Sequence, residues 1–396
     1  MKKIFALILA LVMVFALCAC GANGGSNGKD GSGMKAGLIC LHDENSGYDK
    51  NFIDAFNAAC EACGVTPVIE TNVDEDQAAY EAAAKLADAG CTVIFADSYG
   101  HQSYILEAAK EFPNVQFTSC TGDMANFSNQ ENYHNAFSTI FEGRFLAGVA
   151  AGMKLNQMIE NGDITAEEAK MGYVGAMPYA EVKSGYTSFY LGAKYMCPSV
   201  TMDVIFTGSW YDETLEQEGA EKLIADGCVL ISQHADSMGA PNACQSKGVP
   251  NVSYNGSTQT ACPDTYIISS RIDWTPYFKY AISAVKDGKN YDTDWCGKLA
   301  DGSAVLTELN EAVAAPGTAE KLEEVKAALL DGSLHVFDTS LFTVEGAPLE
   351  HAFAIDTDGD WVADSEEAVS DGYYHESEFR SAPYFDILID GITIDE

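Results

Sequence analysis

The sequence predicts an α/β protein of two doubly wound parallel-sheet lobes joined by a hinge. Three observations carry this. From residue 34 onward, short apolar runs alternate with helix-length amphipathic segments, and glycine punctuates the alternation. The rhythm restarts near residue 140, after a first set of strands and helices. Polar and aromatic residues gather just past the strand ends, which is where open α/β sheets hold their ligands.

Taken in order, KAGLICL (35–41) reads as a buried strand, and KNFIDAFNAACEACG (50–64) as a helix stopped by Gly64. TPVIETN (66–72) is a strand and EDQAAYEAAAKLADAG (75–90) a helix ending at Gly90. CTVIFADS (91–98), the helix YILEAAKEF (104–112) broken by Pro113, and the strand NVQFTSC (114–120) complete the first set. EGRFLAGVAAGMKLNQMI (142–159) is a long helix rich in small residues. The strand KMGYVGAM (170–177) and the helix EVKSGYTSFYLGAKYM (181–196) follow it. TMDVIFTG (201–208) is a strand, and DETLEQEGAEKLIADG (212–227) a helix with acids early, where its dipole favours them. The strands CVLISQH (228–234), PNVSYN (250–255) and TYIISSR (265–271) close the second set. The expected division is 34–138 plus about 272–335 for lobe 1, 139–271 for lobe 2, and 336–396 as a crossover segment packing on both.

The 396 residues suit two domains, and a 47% hydrophobic content is ample for their cores. Asp+Glu number 59 against Lys+Arg 22, a net charge of −37 spread along the chain. Such a surface repels phosphate backbones, so nucleic acid is not an expected partner. Lys2 and Lys3 precede an unbroken apolar run, Ile4 to Leu17. As a helix that run would reach ~21 Å, short of a ~30 Å hydrocarbon core, so it reads as an export signal over 1–19. LCAC (17–20) resembles a bacterial lipobox, which makes Cys20 the lipidated residue. The glycine-rich stretch to Gly33 then reads as a flexible tether over 20–33, reaching roughly 20 Å. The alternative is an ordinary cleaved signal followed by a loose N-terminus. The remaining ten cysteines include a CxxC, Cys60 to Cys63, late in its helix. Redox chemistry favours a helix start, which argues against it there, and Cys40, Cys91, Cys120 and Cys228, in or beside apolar strand-like runs, are expected as small core residues.

The strand-end segments carry a family resemblance. GCTVIFADSYGHQSYILEAAKEFPNVQF, FEGRFLAGVAAG, FTGSWYDETLEQEGAEKLIADGCVLISQHADS and NVSYNGS resemble the BMP family of ABC-transporter substrate-binding lipoproteins, which includes purine-nucleoside receptors. The similarity runs from about Met34 to about Lys289 and fades beyond, apart from a closing ILIDGI. It implies the two-lobed periplasmic-binding-protein type I fold, no cofactor, and a purine nucleoside or nucleobase as small-molecule ligand. The implied partners are the permease subunits of an importer, and the implied location is the extracytoplasmic membrane face.

The resemblance also nominates site residues. SGYDKNF matches the family's NDKSF-like stretch through Asp49 and Phe52, with Tyr48 in place of asparagine. Phe52 would stack on a base, or else staple the helix start that Asp49 caps. Trp210 stands where the family places a stacking aromatic, with lobe packing as the alternative. Ser98 and Tyr99, His234 and Asp236, and Asn255 and Ser257 follow successive strands. Thr121-Gly122 resembles a HATG-like subgroup that includes nucleobase binders, and Trp274 matches the same subgroup. Arg271 would meet a hydroxyl, a carboxylate or solvent. No acid occurs at 255–257, where some nucleoside receptors have one.

DTDGDWVADSEE (356–367) puts Asp356, Asp358, Asp360, Asp364 and Glu367 at oxygen-ligand positions of an EF-hand calcium loop, but Trp361 takes the glycine position. A β-hairpin turn at Asp358-Gly359 explains the stretch equally well. An enzyme on the same frame lacks its usual signs: there is no Gly-x-Ser-x-Gly, phosphate-binding loop or Gly-x-Gly-x-x-Gly. The expectation is therefore a solute-binding protein and not an enzyme. A binder of sugar or another flat heterocycle, acting as a sensor, is the alternative.

Overall fold

The structure is a computed structural model that describes residues 33–356 and 362–395. The signal segment, Cys20 and the tether through residue 32 lie outside the described residues, as do Asp358 and Asp360.

Two sheets organise the chain. The first has six strands: β1 (Lys35–Ile39), β2 (Thr66–Glu70), β3 (Cys91–Ala96), β4 (Gln116–Ser119), β5 (Tyr133–Ser138) and, from much later, β11 (Asp294–Gly297). Their spatial order is β11-β5-β4-β3-β1-β2, and every pairing is parallel. The second sheet has seven strands. It contains β6 (Lys170–Gly175), β7 (Thr201–Phe206), β8 (Leu230–His234), β9 (Asn251–Tyr254), β10 (Tyr266–Ile272) and β12 (Ala304–Leu306). The C-terminal strand Ile392–Ile394 lies on its β7 edge, and only β12 is antiparallel. Each sheet reverses its strand order once, between β1 and β3 and between β6 and β8. Those switch points open crevices at the carboxyl ends of the strands.

The lobe boundaries differ from expectation after β11. The helix Thr318–Leu330 packs on the long helix Ile140–Asn161, and Leu322 and Val325 enter the core of the second sheet. Residues 304–330 therefore belong to the second lobe, because β12 pairs with β10 and carries the chain across. The C-terminal segment also joins that core through Phe337, Phe342, Tyr374 and Phe385. It reaches the first lobe where Arg380 meets Asp123 at 3.4 Å and Ser381 donates to Asp294.

The described residues flanking the acidic stretch pair with each other. Phe353–Ile355 pairs antiparallel with Ser365–Glu367. The Glu367 carboxylate accepts from the backbone N–H of Ala352 and of Val369 and pairs with His351. The ten cysteines among the described residues are all unpaired, and eight of them are buried.

Glycine decides one contact. The helix Ile140–Asn161 lies backbone to backbone on the helix Ala180–Met196. A Cβ on Gly148 would lie 2.0 Å from the carbonyl oxygen of Phe189, and one on Gly192 would lie 2.0 Å from that of Phe145. Gly148→Ala and Gly192→Ala must therefore push the helices apart, at about 1–3 kcal/mol or more each. A urea midpoint clearly below the parent's is expected for either variant. An unchanged midpoint would refute the close packing.

Candidate functional site

The two switch points face each other across one cavity. It measures about 360 Å³, counting the part that opens to solvent. The first lobe contributes Leu41 and His42 after β1, Tyr48 from the next helix, Ser98 and Tyr99 after β3, and Thr121 after β4. The second contributes Glu181, Trp210 after β7, and His234 and Asp236 at the end of β8.

Local chemistry sets these positions. The helix Gly47–Cys63 is capped by Ser46, whose hydroxyl accepts from Asp49 N–H. Ser46 donates in return to the Asp49 carboxylate at 2.6 Å, and His42 N–H donates to it at 2.8 Å. That exchange fixes the first helical turn and turns Tyr48 towards the cavity, with its hydroxyl donating to the Asp97 carbonyl at 2.7 Å. On the other side, Asp236 N–H donates to the Trp210 carbonyl at 2.9 Å and holds the two loops together. The lobes meet directly: Gly47 N–H donates to the Asp236 carbonyl at 3.3 Å. Tyr99 and Tyr179 lie with ring centroids 6.1 Å apart, and His42 and Tyr211 5.5 Å apart.

Burial governs the charges. Asp97 is pushed well above the usual carboxyl range, first by burial and then by neighbouring Asp49. Asp236 is pushed up likewise by burial, then by Asp49, Glu216 and Glu181. Asp49 feels burial too, but its hydrogen bonds from His42 and Ser46 hold it below the ordinary range. His234 is pushed down to about 4, by burial and by the positive charge of Arg144. Arg144 is fully buried, donates to the Gln233 carbonyl at 3.0 Å and lies 3.4 Å over the ring of Tyr254. Cys40, Asp49 and Asp97 bring their ligand atoms within 4.8 Å of one another. Burial and the two acids push the Cys40 thiol well up.

The structure brings together Tyr48, Ser98, Tyr99, Thr121, Trp210, His234 and Asp236 of the nominated residues. Asp49 lies beneath the floor, as the partner of the Ser46 cap. Six nominations require correction. Phe52 is fully buried and stacks on Trp274 at 4.4 Å, so these two rings pack against each other inside the first lobe and neither lines the cavity. Their helices, Gly47–Cys63 and Thr275–Lys286, cross there, and Phe56 and Phe278 complete the cluster. Arg271 turns to Asn51 at 3.1 Å and Asp273 at 3.7 Å, and Ser257 is exposed. Gly122 packs against Ser119 and Asn135, and Asn255 is buried beside β10, donating its N–H to Ser270; neither reaches the cavity wall. Leu41, His42 and Glu181 line the wall without having been nominated. Glu181 sits in the first turn of the helix that follows β6, and β6 borders the switch point. That placement was the available signal.

Comparison with known proteins decides the family. The sequence profile of PnrA-like ABC-transporter substrate-binding proteins, the Bmp family, matches residues 44–333. The chain belongs to the Bmp family. It is 29% identical over 278 residues to a purine-binding protein of Brucella abortus, covering 70% of this chain and 74% of that one. It is 30% identical over 258 residues to a putative ABC transporter glucose-binding protein of Haloferax volcanii, covering 64% and 61% respectively. The fold matches a solute-binding protein of Aeropyrum pernix with a TM-score of 0.65 at 18% identity, over 77% of this chain and 93% of that one. A solute-binding protein of Conexibacter woesei matches with a TM-score of 0.60 at 20% identity, over 76% and 98%. The architecture is that of periplasmic-binding-protein type I, and the Bmp chain is an ABC-transporter solute-binding protein.

The His234 environment makes a pH prediction. A histidine of the unfolded chain titrates near pH 6.5, whereas the folded ring titrates at about 4. The unfolded state therefore takes up the proton first. The stability held by the neutral ring is complete above about pH 6.5 and drains as pH falls towards about 4. Melting temperature should fall across that window, and less steeply in His234→Gln. The difference between the two proteins should approach about 3 kcal/mol at the acid end. Parallel curves for parent and variant would show that His234 does not titrate this way.

Proposed function

We propose that this Bmp protein captures a purine nucleoside or nucleobase between its lobes and delivers it to the permease subunits of an ABC importer. We further propose that a lipid on Cys20 holds it at the extracytoplasmic face of the membrane. The supporting observation is the cavity itself. Tyr48 and Tyr99 line it from one lobe and Trp210 from the other, with carboxyl and imidazole groups between them. Flat faces on opposing walls with a few polar edges suit a planar heterocycle. The space left to the centre of a water-sized molecule is about 20 Å³, so the walls stand nearly in contact and a heterocycle enters with the lobes further apart. The purine-binding relative in Brucella abortus supports the same ligand class. Lys2 and Lys3, the apolar run to Leu17 and the glycine-rich stretch after Cys20 support the anchor.

The test is to release what copurifies with the protein and identify it by mass spectrometry. A purine base or nucleoside is expected, and adding it back should raise the melting temperature by mass action. Trp210→Ala should weaken its binding by about 10–100-fold, the loss that removing a stacked aromatic produces. Recovery of glucose or another sugar, with no purine-induced shift, would reject the ligand class.

A further inference from the structure

The cavity wall carries acids on its second-lobe side and committed hydroxyls on its first-lobe side. Tyr48, Ser98 and Tyr99 each own one hydroxyl hydrogen, and each commits it away from the cavity. Tyr48 donates to the Asp97 carbonyl at 2.7 Å, Ser98 to the Glu75 carboxylate, and Tyr99 to the Asp123 carboxylate at 2.9 Å. A hydroxyl with its hydrogen committed offers a ligand only lone pairs. Glu181 adds carboxylate oxygens on the opposite wall, and Asp236 adds a carboxyl whose carbonyl still accepts. No lysine or arginine lines the cavity among the described residues. The nearby cations face other groups: Arg144 meets the Gln233 carbonyl and the Tyr254 ring, and Arg380 meets Asp123. The wall's donors are Thr121, the Trp210 indole N–H, the rings of His42 and His234, and Asp236 in its neutral form; the His234 Nε2 already lies 3.4 Å from Glu181.

A carboxylate on such a wall discriminates by the edge of the ligand it meets. An amino group brings hydrogens to those lone pairs. An oxo group set against Glu181 brings lone pairs against lone pairs, and an anion meets carboxyls without a counter-charge. We infer that the cavity selects purines bearing an exocyclic amino group and turns away oxopurines and anionic bases, with Glu181 as a specificity-determining residue. This inference rests on the purine reading above.

Isothermal titration of the ligand-free full chain with adenine, hypoxanthine and urate tests it. Adenine should bind at least about tenfold more tightly than hypoxanthine, and urate should give no binding heat. Glu181→Gln should lower adenine affinity by roughly tenfold or more and narrow the adenine-to-hypoxanthine ratio. If that variant does not fold, Glu181→Asp, which keeps the charge and withdraws it by one methylene, reads the same ratio. Equal affinity for adenine and hypoxanthine, binding of urate, or a ratio unmoved by substitution overturns the inference and leaves the purine reading standing. No binding of any purine base or nucleoside overturns both.

Discussion

Acid taken out of water is the constraint around which this cavity is built. Asp49 acts on Asp97 beside it beneath the cavity and on Asp236 in the wall, in a chain whose net charge is already −37. Burying a carboxylate costs several kcal/mol unless it is hydrogen-bonded or sheds its charge. The protein uses both routes. Asp49 keeps its charge because it sits in the first turn of a helix, where the dipole favours an anion, and accepts from His42 and Ser46. Asp97 and Asp236 move towards the neutral form, and the charge retained on Asp49 is one of the causes. The result is a single held anion with two acids poised around it.

Closure runs through the same residues. Gly47 opens its helix, so its N–H has no partner within the helix. Its partner is the Asp236 carbonyl on the other lobe. The neighbouring N–H of Asp236 holds the loop that carries Trp210. Bringing the lobes together thus completes a helix terminus, fixes an aromatic wall and desolvates a carboxyl in one movement. These events are coupled because they share one backbone segment, 234–237, which projects from the carboxyl end of β8 at the switch point.

Much of this was legible in the chain because the signals are local. Alternating apolar runs and glycine stops report backbone state, and a strand end is where a residue such as Trp210 or Asp236 must emerge. Phe52 was misread for a physical reason. Its place in the first turns of the helix Gly47–Cys63 gives the sequence no means to tell the cavity face from the core face. Tyr48, one helical turn earlier, takes the cavity face, and Phe52 turns to Trp274, which lies more than two hundred residues along the chain. Glu181 was hidden because an acid in a first helical turn already has a sufficient local reason in the helix dipole. The transfer of residues 304–330 to the second lobe depends on the pairing of β12 with β10, a non-local contact that leaves no periodic trace.

The buried cation completes the electrostatic argument. Among the described residues Arg144 has no carboxylate within ion-pair distance; it has one carbonyl and the rings of Tyr254 and Tyr173. An isolated buried guanidinium needs negative potential from somewhere. Here the acids of the cavity supply it at longer range, since Arg144 pulls Asp236 down against the several groups that push it up. Tyr254 lies over Arg144, and its ring is 4.6 Å from His234. A protonated His234 would put a second cation beside the first, which is why Arg144 ranks after burial among the causes that keep the ring neutral. His234 therefore acts as an uncharged spacer between a buried cation and an acidic wall. Its neutrality lets a wall residue keep both a donor and an acceptor nitrogen while the charges on either side stay apart.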